Sequence, residues 1–217
     1  MRKFIVIEGL IGVGKTSLCR LLEREWEARL VLEPAETNPF LEPYYAEPER
    51  YAFPVQMFYL MARWKQQDEI RQEDLFSETV VADYLFEKDA MFAEKTLAPL
   101  EFGLYQHFAG ALGARAAKPD LVVFLDAPIE VLMARIAQRQ APGEAAIAPE
   151  YLIDLWERYQ VILDEWTACP VLRIDNRDMN YVQSAGDREA VLALIQAALD
   201  GHIAPGSSDR EAQQTLF

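Results

Sequence analysis

A glycine-rich stretch near the start of the chain constrains the fold more than any other feature. The sequence IEGLIGVGKTS at residues 7–17 follows the pattern G-x-x-x-x-G-K-[S/T]. The β-branched run Lys3–Ile7 before it predicts a buried strand, and Lys15–Arg29 after it has the apolar period of a helix. A phosphate-binding loop requires that strand–loop–helix context, so we predict a fold built around bound phosphate groups.

The loop is expected to hold a nucleoside triphosphate, ATP, together with Mg²⁺. Its glycines let backbone N–H groups turn inward around a phosphate, and the helix N-terminus adds partial positive charge. Lys15 is expected to reach the β- and γ-phosphate oxygens, and the Thr16 hydroxyl to bind Mg²⁺. The residues predicted to contact the triphosphate are Gly9, Gly12, Val13, Gly14, Lys15, Thr16 and Ser17.

Strand and helix signals alternate along the rest of the chain. This alternation predicts an α/β fold: a five-stranded parallel sheet, doubly wound with helices on both faces, binding its ligand at the carboxyl ends of the strands. We expect one domain over residues 1–200, with a lid loop at about 139–149 and a tail at 201–217. The other predicted strands are Leu30–Leu32, Thr79–Val81, Leu121–Leu125 and Val171–Ile174. A proline-containing loop is predicted at 34–43. The predicted helices cover 49–74, the stretch from strand three to about 93, 99–117, 128–140, 150–167 and 188–199.

Charge and composition limit the kinds of molecule that the protein is expected to bind. The net charge of −14 predicts a surface that repels nucleic acid and anionic membranes. No stretch reaches the ~20 apolar residues needed to span a bilayer. Cys19 and Cys169 lack the spacing of a metal site or a disulfide framework. We therefore expect a cytoplasmic protein with a small-molecule ligand and with neither a nucleic-acid nor a membrane partner.

The stretch Leu32–Glu49 indicates what receives the phosphate. It contains five glutamates and no lysine or arginine. An acceptor that already carries a phosphate would lie against those charges at a high cost, whereas a neutral hydroxyl would not. A hydrolysing GTPase, a nucleotide kinase and a nucleoside kinase all fit the loop, and this segment favours the third. Glu33, at the carboxyl end of strand two, suits a base that accepts the hydroxyl's proton.

Several further stretches resemble the deoxynucleoside kinase family in order and spacing, over about residues 3–174. The resemblance implies a P-loop kinase-type fold, ATP as phosphoryl donor, Mg²⁺, a deoxynucleoside acceptor in nucleotide salvage, and a homodimer formed through the helices at 83–93 and 99–117. The stretches are EP at 33–34, NPFLEPYY at 38–45, RYAFPVQMFYLMAR at 50–63, DYLFEKD at 83–89 and PDLVVFLDAPIEVLMARIAQR at 119–139.

The resemblance also implies roles for residues that bind the acceptor. Glu33 is expected to be the general base on the 5′-hydroxyl. Tyr45 would bind the 3′-hydroxyl and crowd the 2′ position, which favours deoxyribose. Gln56 would make paired hydrogen bonds to the base edge. Arg63, with Asp89 as its ion-pair partner, would lie near the base, in an arrangement that the family uses for purines or cytosine.

Further implied roles concern the transferring phosphoryl group. Asp83 would hold Mg²⁺ through water. Lys15, Arg135 and Arg139 would neutralise the developing charge, the two arginines lying four residues apart on one helix face. Glu144, in the lid, would close over the 3′-hydroxyl.

The chain departs from the family pattern at two places. The family commonly follows the strand-three acid with Arg-Ser, whereas Tyr84 and Leu85 stand here, so that the arginine's contact is either lost or supplied elsewhere, with Lys88 and Arg135 as the candidates. The lid often carries Arg-x-Arg, but Gln140 and Ala141 follow Arg139.

Alternatives stay open at the level of the sequence. Deoxyadenosine and deoxyguanosine are both expected acceptors and deoxycytidine is possible, because the Gln56 amide suits either base edge when flipped. A nucleoside monophosphate kinase similar to thymidylate kinase is a second hypothesis, and a nucleotide-binding regulatory protein that has lost catalysis is a third. The tail stretch QQTLF at 213–217 resembles peptides that dock on sliding clamps, but packing of this stretch on the protein itself is favoured.

Overall fold

The structure is a computed structural model that describes residues 3–33, 37–71, 79–114, 116–140, 144 and 147–202. Internal contacts divide the chain into two units. The sheet unit contains the described residues within 1–31, 77–83 and 118–217, and the helical unit those within 32–76 and 84–117. The single domain over 1–200 stays a prediction. The tail stretch at 213–217 lies outside the described residues.

The sheet unit is built on five parallel strands in the order β2-β3-β1-β4-β5. Its central strand is paired with a neighbour on each side, so that Ile5 lies opposite both Val81 and Leu121. This confirms the predicted doubly wound parallel sheet. The strands are β1 (Lys3–Gly9), β2 (Arg29–Val31), β3 (Thr79–Ala82), β4 (Leu121–Asp126) and β5 (Val171–Asp175).

Helices cover the sheet and make up the helical unit. No described helix is long and apolar enough to cross a membrane. In the sheet unit, the helices that surround the strands are α1 (Lys15–Trp26), α6 (Ile129–Arg139), α7 (Pro149–Glu165) and α8 (Ala185–Leu199). In the helical unit, they are α2 (Leu41–Ala46), α3 (Pro48–Arg71), α4 (Lys88–Thr96) and α5 (Pro99–Gly113).

The two faces of the sheet carry different side chains because strand residues alternate in direction. On one face, Phe124 of β4 packs against Tyr159 of α7, with 5.5 Å between the ring centroids. Arg173 of β5 stacks over the same Phe124 ring. Val123 and Leu125, which alternate with Phe124 and so face the opposite side of the sheet, are also fully buried. This burial on both faces explains why β4 has an unbroken apolar sequence.

The helical unit has its own apolar core. Leu60 of α3 and Tyr105 of α5 are both fully buried in it. The long helix α3 also buries polar side chains along its length, which is unusual for a helix face that only packs. The buried core residues are Ala52, Leu60, Phe86, Ala93, Leu97 and Tyr105.

Two sequence predictions were wrong in detail. The proline-containing loop includes the start of the short helix α2, because Pro43 lies in its first turn, where no backbone N–H is needed. Residues 83–87 are not helical, and α4 begins at Lys88.

The backbone at Gly9 makes a close approach that predicts the effect of a substitution. Gly9 has φ +139, and an added Cβ would lie 2.3 Å from the Leu125 carbonyl oxygen. We expect Gly9→Ala to destabilise the protein by about 1–3 kcal/mol, because a backbone atom cannot move aside easily. Thermal unfolding measures this, with Gly186→Ala as the control, because an added Cβ there would meet only the Ser184 hydroxyl oxygen, at an ordinary contact distance of 4.0 Å. Equal melting temperatures for the two variants would contradict the prediction.

Candidate active site

The phosphate-binding loop connects β1 to α1 as the sequence predicts. Gly12 and Gly14 adopt positive φ values of +83 and +106, which a side chain would strain. Gly14 is the N-cap of α1. Backbone N–H groups and the helix N-terminus therefore converge on one place, which is the arrangement that binds a phosphate.

The Lys15 side chain contacts the backbone of the loop. Its Nζ donates hydrogen bonds to the Gly9 carbonyl oxygen at 2.8 Å and to the Leu10 carbonyl oxygen at 3.1 Å. The side chain therefore curls back over the loop that precedes it, and its ammonium lies beside the loop backbone.

Two buried side chains hold the outward-facing carbonyls of the loop. Asn176 Nδ2 donates to the Val13 carbonyl oxygen, and the Tyr181 hydroxyl donates to the Gly14 carbonyl oxygen at 3.0 Å. Burial raises the pKa of Tyr181 to about 12, so the hydroxyl stays protonated as a donor. Sequence reasoning missed both residues, although the polar Asn176 directly after a buried strand was a usable signal.

A buried acid supports the start of the loop. Glu8 of β1 is fully buried. Its Oε2 accepts hydrogen bonds from the Gly9 backbone N–H at 3.0 Å and from the Tyr159 hydroxyl at 2.8 Å. Glu8 thereby connects the loop to α7. Its signal in the sequence was an acid inside an otherwise apolar strand.

Thr16 and Asp83 lie together and suit a magnesium ion. The Thr16 hydroxyl donates to Asp83 Oδ2 at 3.1 Å, which places a hydroxyl and a carboxylate side by side. Mg²⁺ prefers oxygen ligands and is commonly held by one or two protein groups plus substrate phosphates. The described residues contain no group of three or more His, Cys, Asp or Glu side chains suited to a metal. The donor set therefore fits Mg²⁺ bound together with phosphates.

The helical unit contains a buried cluster of charges. Arg63 of α3, whose side chain is 4% exposed, contacts the carboxylates of both Glu33 and Asp89. Lys88 Nζ lies 3.7 Å from Glu33 Oε1. Burial is the largest single effect and lowers the pKa of Arg63, but the charge of Glu33, its hydrogen bond and the nearby Tyr84 and Tyr105 together raise that pKa above its usual value. The guanidinium is therefore charged, and the two acids neutralise it. Glu33 itself lies two residues beyond the end of β2.

Tyrosines surround this cluster. The Tyr105 hydroxyl donates to Asp89 Oδ2 at 2.6 Å. The Arg63 guanidinium lies over the rings of Tyr59 and Tyr84, at 5.2 and 5.6 Å from their centroids. Burial raises the pKa of Tyr59 and of Tyr105 to about 12, so both are neutral. Aromatic rings therefore surround the charged cluster, and the tyrosine hydroxyl groups remain hydrogen-bond donors.

Two other predicted acceptor residues lie in the same unit with different surroundings. Gln56 is buried on α3, and its Nε2 donates to Thr96 Oγ1 at 3.0 Å. Tyr45 is 51% exposed and lies against Tyr44, with 5.9 Å between the ring centroids. The structure thus brings together Glu33, Arg63 and Asp89 by direct contact, while Gln56 and Tyr45 make other contacts.

The two arginines of α6 have different partners. Arg135 donates from its guanidinium to the carbonyl oxygens of Asn176 at 2.9 Å and Val13 at 3.4 Å. Arg139 pairs with Glu144, and the arginine side chain is 52% exposed. Arg135 therefore joins the Asn176 network behind the loop, and Arg139 pairs with Glu144 within the predicted lid segment.

A comparison with known families decides the assignment. The model of the family described as deoxynucleoside kinase matches residues 5–200. The chain belongs to the deoxynucleoside kinase family. It is accordingly an ATP-dependent phosphotransferase that acts on a deoxynucleoside.

Relatives of this kinase support the assignment over most of their length. It is 31% identical to the deoxyguanosine kinase of Bacillus subtilis, covering 89% of this chain and 96% of the relative. It is 26% identical to the deoxyadenosine/deoxycytidine kinase of the same organism, covering 90% and 92%. A solved structure of the deoxyadenosine kinase from M. mycoides with bound dATP is similar, with a TM-score of 0.75, 20% identity and coverage of 89% of this chain and 99% of that chain. This last similarity supports the fold.

The Tyr181 contact predicts a defect confined to the phosphate donor. We expect Tyr181→Phe to raise the KM for ATP and the Kd for ADP about fivefold, because it removes one hydrogen bond from the loop backbone. The KM for the deoxynucleoside should not change. Steady-state kinetics and calorimetry measure these values, with Tyr51→Phe in the helical unit as the control. An equal change in the deoxynucleoside KM would contradict the prediction.

Proposed function

We propose that this kinase transfers the γ-phosphoryl group of ATP to the 5′-hydroxyl of a purine deoxynucleoside, deoxyadenosine or deoxyguanosine, in nucleotide salvage. The observation that carries the proposal is the buried cluster of Glu33, Arg63 and Asp89. A buried arginine and a buried aspartate offer donors and an acceptor to the polar edge of a purine. The names of the two relatives, deoxyguanosine kinase and deoxyadenosine/deoxycytidine kinase, support a purine acceptor. The second name also supports deoxycytidine as a further acceptor.

The reaction needs a base and a place for negative charge. Glu33 takes the proton of the 5′-hydroxyl while the 5′-oxygen forms a bond to the γ-phosphorus. The bond from that phosphorus to the bridging oxygen breaks, and ADP leaves with the electron pair. Such a transfer depends mainly on positioning and on charge stabilisation. Lys15 at the loop and the two arginines of α6, Arg135 and Arg139, supply positive charge for the transferring group.

Thr16 and Asp83 would hold Mg²⁺ in this reaction. When bound, Mg²⁺ neutralises phosphate charge and orients the phosphates of the donor. Thr16 would contribute its hydroxyl oxygen and Asp83 its carboxylate, the two groups that already lie in hydrogen-bond contact.

The base and the sugar are assigned to separate side chains. Gln56 would pair with the base edge, and its amide suits either purine when it is flipped. Arg63 and Asp89 would lie beside it. Tyr45 would contact the 3′-hydroxyl and exclude a ribose 2′-hydroxyl, and Glu144 would approach the 3′-hydroxyl from the lid.

The test is transfer from labelled ATP to the four deoxynucleosides, to adenosine and to the corresponding monophosphates. We expect 5′-monophosphate from the purine deoxynucleosides, and Glu33→Gln should lower kcat at least ~10²-fold because it removes the base. Glu47→Gln, in the exposed part of the same segment, is the control that should keep wild-type rates. A Glu33→Gln rate within a few-fold of wild type would remove the base role, and a preference for monophosphates would overturn the acceptor.

We also propose that the kinase forms a homodimer through α5. One face of this helix carries Leu100, Leu104 and Phe108, exposed by 91%, 49% and 43%. Spacing of four residues places them in one row along the helix. An apolar row of this kind marks an interaction surface on a protein of otherwise acidic composition.

The dimer proposal predicts a change of mass on substitution. Wild-type protein should sediment at about twice 24.8 kDa, and Leu104→Glu should sediment at the mass of one chain, because a charge cannot be buried there cheaply. Gln106→Glu adds the same charge elsewhere on α5 and should leave the dimer intact. A monomeric wild-type protein, or a dimeric Leu104→Glu variant, would disprove the interface.

A further inference from the structure

Lys88 occupies an unusual position for a lysine. It is the first residue of α4 and is 3% exposed, and among the described residues it and Arg63 are the buried cations. A buried ammonium is costly unless an anion balances it. Its anion is Glu33, whose Oε1 lies 3.7 Å away. The residue that we propose as the base thus has a second cation beside it.

Lys88 adds a second positive charge to a cluster in which one arginine contacts two carboxylates. Arg63 is shared, because one of its terminal nitrogens contacts Glu33 and the other contacts Asp89. Arg63 and Lys88 together match the two acids. Without Lys88, a single guanidinium would serve two carboxylates, and the cluster would carry a net negative charge that favours protonation of one acid.

The contacts to Glu33 also fix its orientation. Arg63 Nη2 from α3 and Lys88 Nζ from α4 both approach the same oxygen, Oε1. The tyrosines that face the cluster are Tyr59, Tyr84 and Tyr105, and burial raises the pKa of Tyr59 and of Tyr105 to about 12, so these two stay neutral. Two cations on different helices therefore hold the Glu33 carboxylate at Oε1.

We propose that Lys88 is a positioning residue for phosphoryl transfer, which keeps the Glu33 carboxylate ionised and, with Arg63, holds it at Oε1 in the orientation that receives the 5′-hydroxyl proton. The inference rests on the proposed role of Glu33 as the base. It also answers which cation takes the place of the arginine absent after Asp83. Arg135, the other candidate from the sequence, donates its hydrogen bonds to backbone carbonyls of the sheet unit.

Kinetics across pH test the inference on the full chain. We expect Lys88→Met to lower kcat about 10- to 100-fold, with the deoxynucleoside KM within about threefold of wild type. The acid limb of kcat should move to higher pH by about one unit, because loss of a nearby positive charge favours the protonated carboxyl group. Lys88→Arg should restore most of kcat and the wild-type limb, since it returns the charge. Lys65→Met, at an exposed position of α3, is the matched control.

Other outcomes would overturn the inference. One is a Lys88→Met kcat within threefold of wild type with an unmoved acid limb, and another is a change confined to KM. Thermal unfolding accompanies the kinetics, and Lys88→Gln is measured as a second variant with the same expectation. If both variants fail to fold while Lys88→Arg folds, the lysine has a structural role and the inference is rejected.

The Glu33→Gln variant separates this inference from the proposed function. If wild type transfers phosphate, Glu33→Gln does not, and Lys88→Met is unaffected, only the role of Lys88 fails. If Glu33→Gln keeps its activity, the base assignment fails, whatever Lys88→Met does.

Discussion

The buried charge of Arg63 sets the organisation of the helical unit. A guanidinium with 4% of its side chain exposed requires anions at contact distance, and Glu33 and Asp89 provide them from different segments. Tyr105 then holds Asp89 by a hydrogen bond, and Lys88 balances Glu33. These partners tie the segment before α2, α4 and α5 to α3. The same polar groups that a base edge can recognise are therefore the ones that hold this unit in one arrangement.

In the sheet unit, the main structural requirement is to keep the backbone N–H groups of the phosphate-binding loop pointing inward. A loop without side-chain support would sample many conformations, since glycine permits them. Here Asn176 and Tyr181 limit that freedom, because they donate hydrogen bonds to the carbonyl oxygens of Val13 and Gly14. Glu8 fixes the Gly9 N–H at the start of the loop. Buried polar side chains thus preorganise the loop that we propose binds the phosphates of ATP.

The fold was largely predictable because its signals are local. Five short apolar runs and the glycine pattern predicted the parallel sheet and the loop, and the structure has both. The misses lie where tertiary contacts compete with propensity. Pro43 reads as a loop residue in isolation but is tolerated in the first turn of α2. The stretch after β3 has helical composition, yet its backbone leaves the strand before α4 begins at Lys88.

The candidate site, like the fold, was predictable from the sequence only where its signals are local. The sequence by itself determined the phosphate-binding loop and the acidic segment after strand two, because both follow from residue type and spacing, and the resemblance to the family implied the pairing of Arg63 with Asp89, which the structure contains. Only the tertiary structure decided that Glu33 shares Arg63 and lies beside Lys88, and that Asn176, Tyr181 and Glu8 hold the loop. These residues come from segments far apart in the chain, and no local pattern records which buried polar group will find which partner. That choice is made by burial, which forces each charge or hydrogen-bonding group to be satisfied wherever the packed helices and strands place it.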